Sequence, residues 1–375
     1  MGKAWLACGT SSAQDGTCGE CPMTNALIFC CDANYFWPAA FAANRVAALS
    51  PGRDFAIRIF CSDPIPDAFA LHAAPGVTAE PLSMGDFSFF RAFSDRISKA
   101  AFLRIFALDR ISADHDRVIY YDVDVAFRHG DLSRLFTLDL GEKTVGAVRD
   151  TADWAAPSDR DARYFAALGV GADTGGYFNS GFLLVDTARW RAQGIGEKTL
   201  RFIADHPDLC RYNDQSALNH ALAGKWAELS PLWNWQARDP EVLALVDTRD
   251  PHVVHFNGRQ KPWRDSQRMI PAAFKDPFRD WGRQVGWTLP PDIEDRVYTR
   301  KKREASRAHA IAQTYAGLAD WVAAHNRYLK RKDFIDAEPS DRALRRARRE
   351  AKRAARQGRD EDLSDEDTDD DSSDE

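Results

Sequence analysis

Asp122 and Asp124, in the stretch "YYDVDV", stand one residue apart at the end of the apolar run 118–121. Side chains two residues apart on a strand share a face, so this spacing projects both carboxylates together, where they repel each other. A hard divalent cation taking oxygen ligands would neutralise the pair. A polar strand end entering a turn is the alternative, and the same triplet recurs at Asp114/Asp116, at Asp159/Asp161 and in the acidic tail. The copy at 122–124 differs in following a β-branched and aromatic run, which is where open α/β sheets hold their ligands.

The elements that would position such a pair alternate along the chain. "ALIFCCD" reads as a buried strand ending in Asp32, and "ANYFWPAAFAANRVAAL" follows with helical spacing until Ser50-Pro51-Gly52 breaks it. "FAIRIFCSD" is the next strand, 89–109 has the helical period, and "RVIYYDVDV", "KTVGAVRD" and "GYFNSGFLLVD" read as further strands. A helix over 187–204 and another from "DQSALNHALAG" complete the α/β part. This alternation predicts a mainly parallel sheet with helices on both faces and polar groups gathered on one edge. From about residue 271 the pattern turns helical and amphipathic. The stretch "RALRRARREAKRAARQ" has basic residues all round, leaving no apolar stripe to bury, and an acidic run follows it; disorder or helicity coupled to binding is the expectation there.

Bulk composition narrows the function classes. A chain of 375 residues with net charge -6 can bury a substantial core. No run approaches the roughly 18 uncharged apolar residues of a membrane span, and the apolar run in "MGKAWLACGT" is too short for a signal peptide. Seven cysteines, an odd number, argue for a reducing compartment. Cys18 and Cys21 have the spacing of half a zinc knuckle without the second half, and Cys30 and Cys31 are expected to be buried. There is no G-x-x-x-x-G-K-[ST] loop and no G-x-G-x-x-G after the first strand, which sets aside kinase-like and dehydrogenase-like readings.

Five stretches, "CCDANY", "YYDVDV", "GYFNSGFLLVD", "RYNDQSALN" and "HFNGRQKPW", occur in this order over 25–265, and together they resemble the family 8 retaining glycosyltransferases, a group that includes glycogenin and bacterial lipopolysaccharide galactosyl- and glucosyltransferases. The resemblance implies a UDP-sugar donor. Asp32 would accept from the uracil N–H and Tyr35 would stack on the base. Asp122, Asp124 and His255 would hold Mn²⁺, with Mg²⁺ as a substitute, the imidazole favouring Mn²⁺. Gly258 would let the backbone approach a phosphate and Lys261 would set a point charge on it. Arg104 matches a family basic residue on the donor sugar or phosphate; a solvated helix-face arginine is its alternative. Asn179, Asp214 and Gln215 would form the sugar subsite, with Gln215 beside the anomeric carbon, and Asp150 and Asp153 would be secondary contacts. A neutral amide is a poor nucleophile, so front-face attack with retention is the expected route.

The expected fold is therefore α/β of GT-A type, a Rossmann-like mixed sheet with flanking helices, plus a small C-terminal helical region and a disordered tail. The expected division is an N-terminal extension over 1–24, the GT-A domain over 25–270, the helical region over 271–338 and the tail over 339–375. The expected function is a metal-dependent hexosyltransferase forming an α-linkage on a glycan or glycolipid acceptor, with glycogenin-like self-glucosylation and a non-catalytic sugar-nucleotide-binding protein as alternatives. The expected location is the cytoplasm, with weak attachment to the inner membrane surface through the basic tail segment, and no nucleic-acid partner is expected.

Overall fold

The computed structural model describes residues 24–85, 99–155, 158–265, 270–288, 300–331 and 333–337. The expectations for the N-terminal extension with Cys18 and Cys21, for the first part of the helix over 89–109 and for the charged tail lie outside these residues. Among the described residues, no helix is long and apolar enough to cross a membrane.

Among the described residues, ten strands form two sheets: β1 Asn25–Cys31, β2 Phe55–Cys61, β3 Val77–Pro81, β4 Arg117–Tyr121, β5 Val125–Phe127, β6 Val145–Arg149, β7 Phe178–Asp186, β8 Trp226–Glu228, β9 Trp235–Gln236 and β10 Val253–His255. The larger sheet runs β3-β2-β1-β4-β7-β6-β8. Strands β3, β2, β1 and β4 are parallel, β7 is antiparallel to both β4 and β6, and β8 is parallel to β6. The expected sheet is thus mixed, with its parallel half at the N-terminal side. Strand β1 carries an almost continuous apolar run because both faces are covered. Leu27 and Phe29 pack toward the helix Phe36–Leu49, while Ala26 and Ile28 meet Leu103, Leu108, Trp190 and Leu218 on the other face.

The strand order has a functional consequence. From β1 the chain winds outward to β2 and β3, then returns to lay β4 on the opposite side of β1. The carboxyl ends of β1 and β4 therefore flank a topological switch point, the crevice where such sheets bind ligands. Asp32 follows β1 and Asp122 follows β4 at that edge.

Two sequence expectations need correction. The carboxylates of the Asp-X-Asp do not share one strand: β4 ends at Tyr121, β5 begins at Val125, and Asp122 to Asp124 form the bend by which the chain leaves the large sheet for the small one. The helix expected over 187–204 is two helices, Thr187–Ala192 and Ile195–Asp205, interrupted where Gly194 takes φ 59°.

The small sheet, β5-β10-β9, carries the bend's partner. His255 is in register with Val125, and the Phe256 N–H donates to the Asp124 carbonyl at 2.8 Å. Toward the C-terminus, the helix Ala272–Val285 packs on Phe36–Leu49, where Trp281 Nε1 donates to the Trp37 carbonyl at 3.0 Å. The helix Arg300–Leu329 lays Leu318, Trp321 and Val322 on a cluster around Trp235, Val242 and Val254. The segment after it returns to the large sheet, with the Ile335 N–H donating to the Glu228 carbonyl at 3.0 Å.

Candidate active site

The pairing of β10 with β5 brings Asp122, Asp124 and His255 together, with one ligand atom from each lying within 4.8 Å of the others. His255 Nε2 is 3.2 Å from Asp124 Oδ1 and 3.5 Å from Asp122 Oδ2. The imidazole is 2 % exposed, and its Nδ1 lies 2.9 Å from Oδ1 of the fully buried Asn234. Asn234 Nδ2 donates to Asn179 Oδ1 at 2.9 Å, which fixes the amide so that its oxygen faces the ring. Nδ1 therefore donates to Asn234, and Nε2 is the ring nitrogen that faces the carboxylates. Gly181 makes room for this packing: a Cβ there would lie 2.3 Å from His255 Cε1 and 2.8 Å from Asp122 Oδ2.

Lys261 places its ammonium on Asp124 Oδ2 and on the Phe256 carbonyl. Burial alone would raise the Asp124 carboxyl, but Lys261 and His255 outweigh it and hold the group well below the usual carboxylate range. Two carboxylates and one imidazole make a donor set that could hold a divalent cation, with the Lys261 ammonium beside it.

Arg104 is neither solvated nor free. It is 7 % exposed, with its guanidinium 2.9 Å from Asp122 Oδ1 and 2.9 Å from Asp214 Oδ2, and it donates to the Ser180 carbonyl at 2.8 Å. The Tyr120 ring lies under it, 4.6 Å away, and the Tyr120 hydroxyl donates to Asp122 Oδ1 at 2.5 Å. Burial would favour a neutral guanidine, yet Asp122 and Asp214 raise the pKa of Arg104 above its ordinary value. Burial also pushes the Asp214 carboxyl up to about 6, with Arg104 opposing the shift and Asp122 adding to it. Arg104 thus orients two carboxylates of the cleft, which excludes the solvated alternative.

Gln215, on the helix Asp214–Ala221, is held at both ends of its amide. Its Oε1 accepts from the Ser180 N–H at 3.0 Å and from Asn179 Nδ2 at 3.2 Å, and its Nε2 donates to Asp150 Oδ2 at 3.2 Å. Asn179 Nδ2 also donates to that Asp150 oxygen at 3.1 Å. A bulge allows this: Ala147 pairs with Leu183 while Val148 pairs with Asn179, so 180–182 loop out of the β6 ladder. Just before Asp214, Asn213 takes φ 54°, a strained value for a residue other than glycine, at the mouth of the same cleft.

The cleft has a volume of about 330 Å³, and Arg104, Asp122, Asp124, Asn179, Asp214, Gln215 and His255 are among its lining residues. Asp32, Tyr35, Gly258 and Lys261 stand outside that lining. Asp32 caps the turn Ala33–Tyr35, accepting from the Tyr35 N–H at 3.1 Å, and the Tyr35 ring meets Trp263 edge-on at 6.0 Å. The turn after β1 and the 258–263 loop are therefore neighbours. At Gly258 a Cβ would lie 2.8 Å from the Arg238 carbonyl oxygen, so the close backbone approach that requires a glycine is to the chain itself. Asp153 pairs with Arg149 at 3.1 Å behind the cleft instead of facing it.

Sequence reading passed over Asn234 and Gly181 as individual residues. Asn234 had one signal, a polar residue between Trp233 and Trp235 in an apolar stretch; Gly181 stood only as part of the Asn-Ser-Gly string.

Residues 26–267 match the family model described as Glycosyl transferase family 8. Among curated proteins, general stress protein A of Bacillus subtilis (strain 168) is 36% identical over 201 residues, covering 50% of this chain and 64% of that protein. The lipopolysaccharide 1,2-glucosyltransferase of Escherichia coli (strain K12) is 27% identical over 174 residues, covering 44% of this chain and 49% of that protein. The chain thus spans less than two thirds of the length of either relative. Among solved structures, galactosyltransferase LgtC in complex with donor and acceptor sugar analogues superposes with a TM-score of 0.56 at 23% identity, covering 71% of this chain and 98% of that one. That likeness is one of fold, a GT-A-like mixed α/β architecture.

Proposed function

The chain belongs to glycosyl transferase family 8, and from that premise we propose that it is a retaining hexosyltransferase, moving a hexose from a UDP-sugar to a hydroxyl of a glycan or glycolipid acceptor. The observation that carries the reading is the convergence of Asp122, Asp124 and His255, three donor atoms within 4.8 Å, at the switch point of the sheet. Mn²⁺ or Mg²⁺ bound there would supply Lewis-acid neutralisation of the diphosphate.

The chain's own groups do the rest. Asp32 and Tyr35 hold the base at the end of β1. Lys261, already beside the Asp-X-Asp bend, places its charge on the departing phosphate. The C1–O bond to the β-phosphate breaks, the acceptor oxygen forms its bond to C1 on the same face, and the departing phosphate oxygen takes the acceptor's proton. Gln215 Oε1, fixed by Asn179 and Ser180, lies beside the developing positive charge at C1, and Asp214 and Asn179 hold sugar hydroxyls. Arg104 holds Asp122 and Asp214 in place.

Incubation with a panel of UDP-sugars and Mn²⁺ tests this, reading UDP release and the anomeric coupling of the product by NMR. Release from a UDP-hexose with an α-linked product is expected. No release from any UDP-sugar, or an inverted product, would contradict the reading. Hexose mass increments on the chain itself would instead identify self-glucosylation. Attachment to a membrane surface through the basic stretch 342–356 belongs to the same reading; liposome binding that survives removal of 339–375 would contradict it.

A further inference from the structure

An alternating row of charges runs from the cleft's back wall into the C-terminal segment. Arg149 ends β6, immediately before Asp150. Its guanidinium pairs with Asp153 at 3.1 Å and with both oxygens of Glu228, at 3.1 and 3.0 Å. On the other side of Glu228, Arg331 makes a second two-pronged pair, at 3.0 and 2.9 Å, and reaches Asp333 at 2.7 Å. The Tyr328 hydroxyl donates to Glu228 as well, and its ring stacks on Trp154 at 3.9 Å with 8° between planes. Arg331 and Tyr328 lie beyond residues 26–267, the part that matches the family model.

The row acts on the backbone that presents Asp150. The Gln236 amide spans this residue, donating to the Arg149 carbonyl at 2.9 Å and accepting from the Thr151 N–H at 3.1 Å. Asp150 Oδ2 in turn receives Asn179 Nδ2 and Gln215 Nε2. Arg149 and Trp154 thus bracket the turn, and both are gripped from the C-terminal side. Glu228, with its side chain 11 % exposed, carries one charge between two guanidiniums. A two-pronged pair fixes angle as well as distance, so removing one arginine frees the carboxylate and loosens its other partner.

We propose that Arg331 and Tyr328 are positioning residues of the active site: through Glu228, Arg149 and Trp154 they fix the turn that aims Asp150 at Gln215. The inference rests on the functional reading above for its kinetic part.

The test compares full-length Arg331→Ala, Arg331→Lys and Tyr328→Phe with wild type, using whichever of UDP-glucose and UDP-galactose the wild type turns over with Mn²⁺. Arg331→Ala is expected to lower kcat roughly tenfold, with UDP affinity by calorimetry within about twofold and faster hydrogen–deuterium exchange across 149–154. Arg331→Lys should recover part of the rate, since one ammonium keeps one prong. Tyr328→Phe retains the ring stack and should cost less than Arg331→Ala. Wild-type kcat and unchanged exchange across 149–154 in folded Arg331→Ala would overturn the proposal, as would parallel losses of kcat and UDP affinity. If Arg331→Ala does not fold, the same split in Arg331→Lys and Tyr328→Phe decides. If the wild type releases no UDP, the functional reading fails separately, and exchange across 149–154 still decides whether Arg331 orders the turn.

Discussion

His255 and Asn234 share one hydrogen bond, Nδ1 to Oδ1 at 2.9 Å, and it decides which ring nitrogen faces Asp122 and Asp124. An imidazole whose second nitrogen is fixed in this way is a better-aimed and more basic ligand. Asn234→Ala should therefore weaken Mn²⁺ binding about 10- to 100-fold, measured by calorimetric titration in the presence of UDP. Unchanged affinity would mean that something other than Asn234 orients the ring.

Gln215 is held by Asn179, Ser180 and Asp150, none of them a member of the Asp122, Asp124 and His255 cluster. Gln215→Ala should lower kcat roughly a hundredfold, as for loss of one fixed electrostatic contact to the transition state. UDP affinity should stay within about threefold. Steady-state kinetics beside UDP calorimetry separates the two, and a loss mainly of affinity would place Gln215 on the nucleotide instead.

His325 is 1 % exposed among Trp154, Trp235 and Trp321, and burial lowers its pKa from the model-peptide 6.5 to about 4. The unfolded chain then binds more protons between those two values, so stability falls as pH drops through that window. From pH 7 to pH 5 this group alone should remove about 2 kcal/mol. Urea unfolding at the two pH values, in wild type and in His325→Phe, reads the difference. An equal loss in the variant would show that other groups carry the acid sensitivity.

Sequence reading reached β1, β2, β4, β6 and β7 of the large sheet and the residues at its edge because those runs are mostly apolar and five to nine residues long, whereas β3 and β8, short or partly polar, passed unread. Strand β1 and the run ending at Tyr121 announce themselves, and the carboxylates that follow them stand out by contrast. The small sheet left no such trace. Strands β5, β9 and β10 are two or three residues long, below the length at which alternation is visible, yet they carry Asp124 to His255. For Arg104 a solvated helix-face arginine stayed open as the alternative, because the periodicity of its helix cannot show that two carboxylates from elsewhere cover it. The same holds for Arg331: a basic residue near a charged tail looks exposed until Glu228 is seen between it and Arg149. Ion pairs between distant segments are set by tertiary geometry, for which local spacing has no code.

That geometry also reverses one expectation for the Asp-X-Asp. Taken alone, two neighbouring carboxylates repel, and neutralising one should leave metal-free stability the same or raise it. In the fold, Asp124 already pairs with Lys261 and faces His255, so Asp124→Asn should instead cost about 2 kcal/mol without metal, the worth of a charge-assisted hydrogen bond. Thermal melting in EDTA reads the sign, and a higher melting temperature in the variant would show that repulsion dominates.

Asp122, Asp124 and His255 are proposed as one cation site through which the nucleotide is held. Calorimetric binding of UDP to wild type and to Asp124→Asn, each with Mn²⁺ and with EDTA, tests it most directly. The account predicts tight binding to wild type with Mn²⁺, its loss in EDTA, its recovery when Mn²⁺ is restored, and no Mn²⁺-dependent binding to folded Asp124→Asn. Equal UDP binding by wild type in EDTA, or undiminished Mn²⁺-dependent binding by Asp124→Asn, would contradict it.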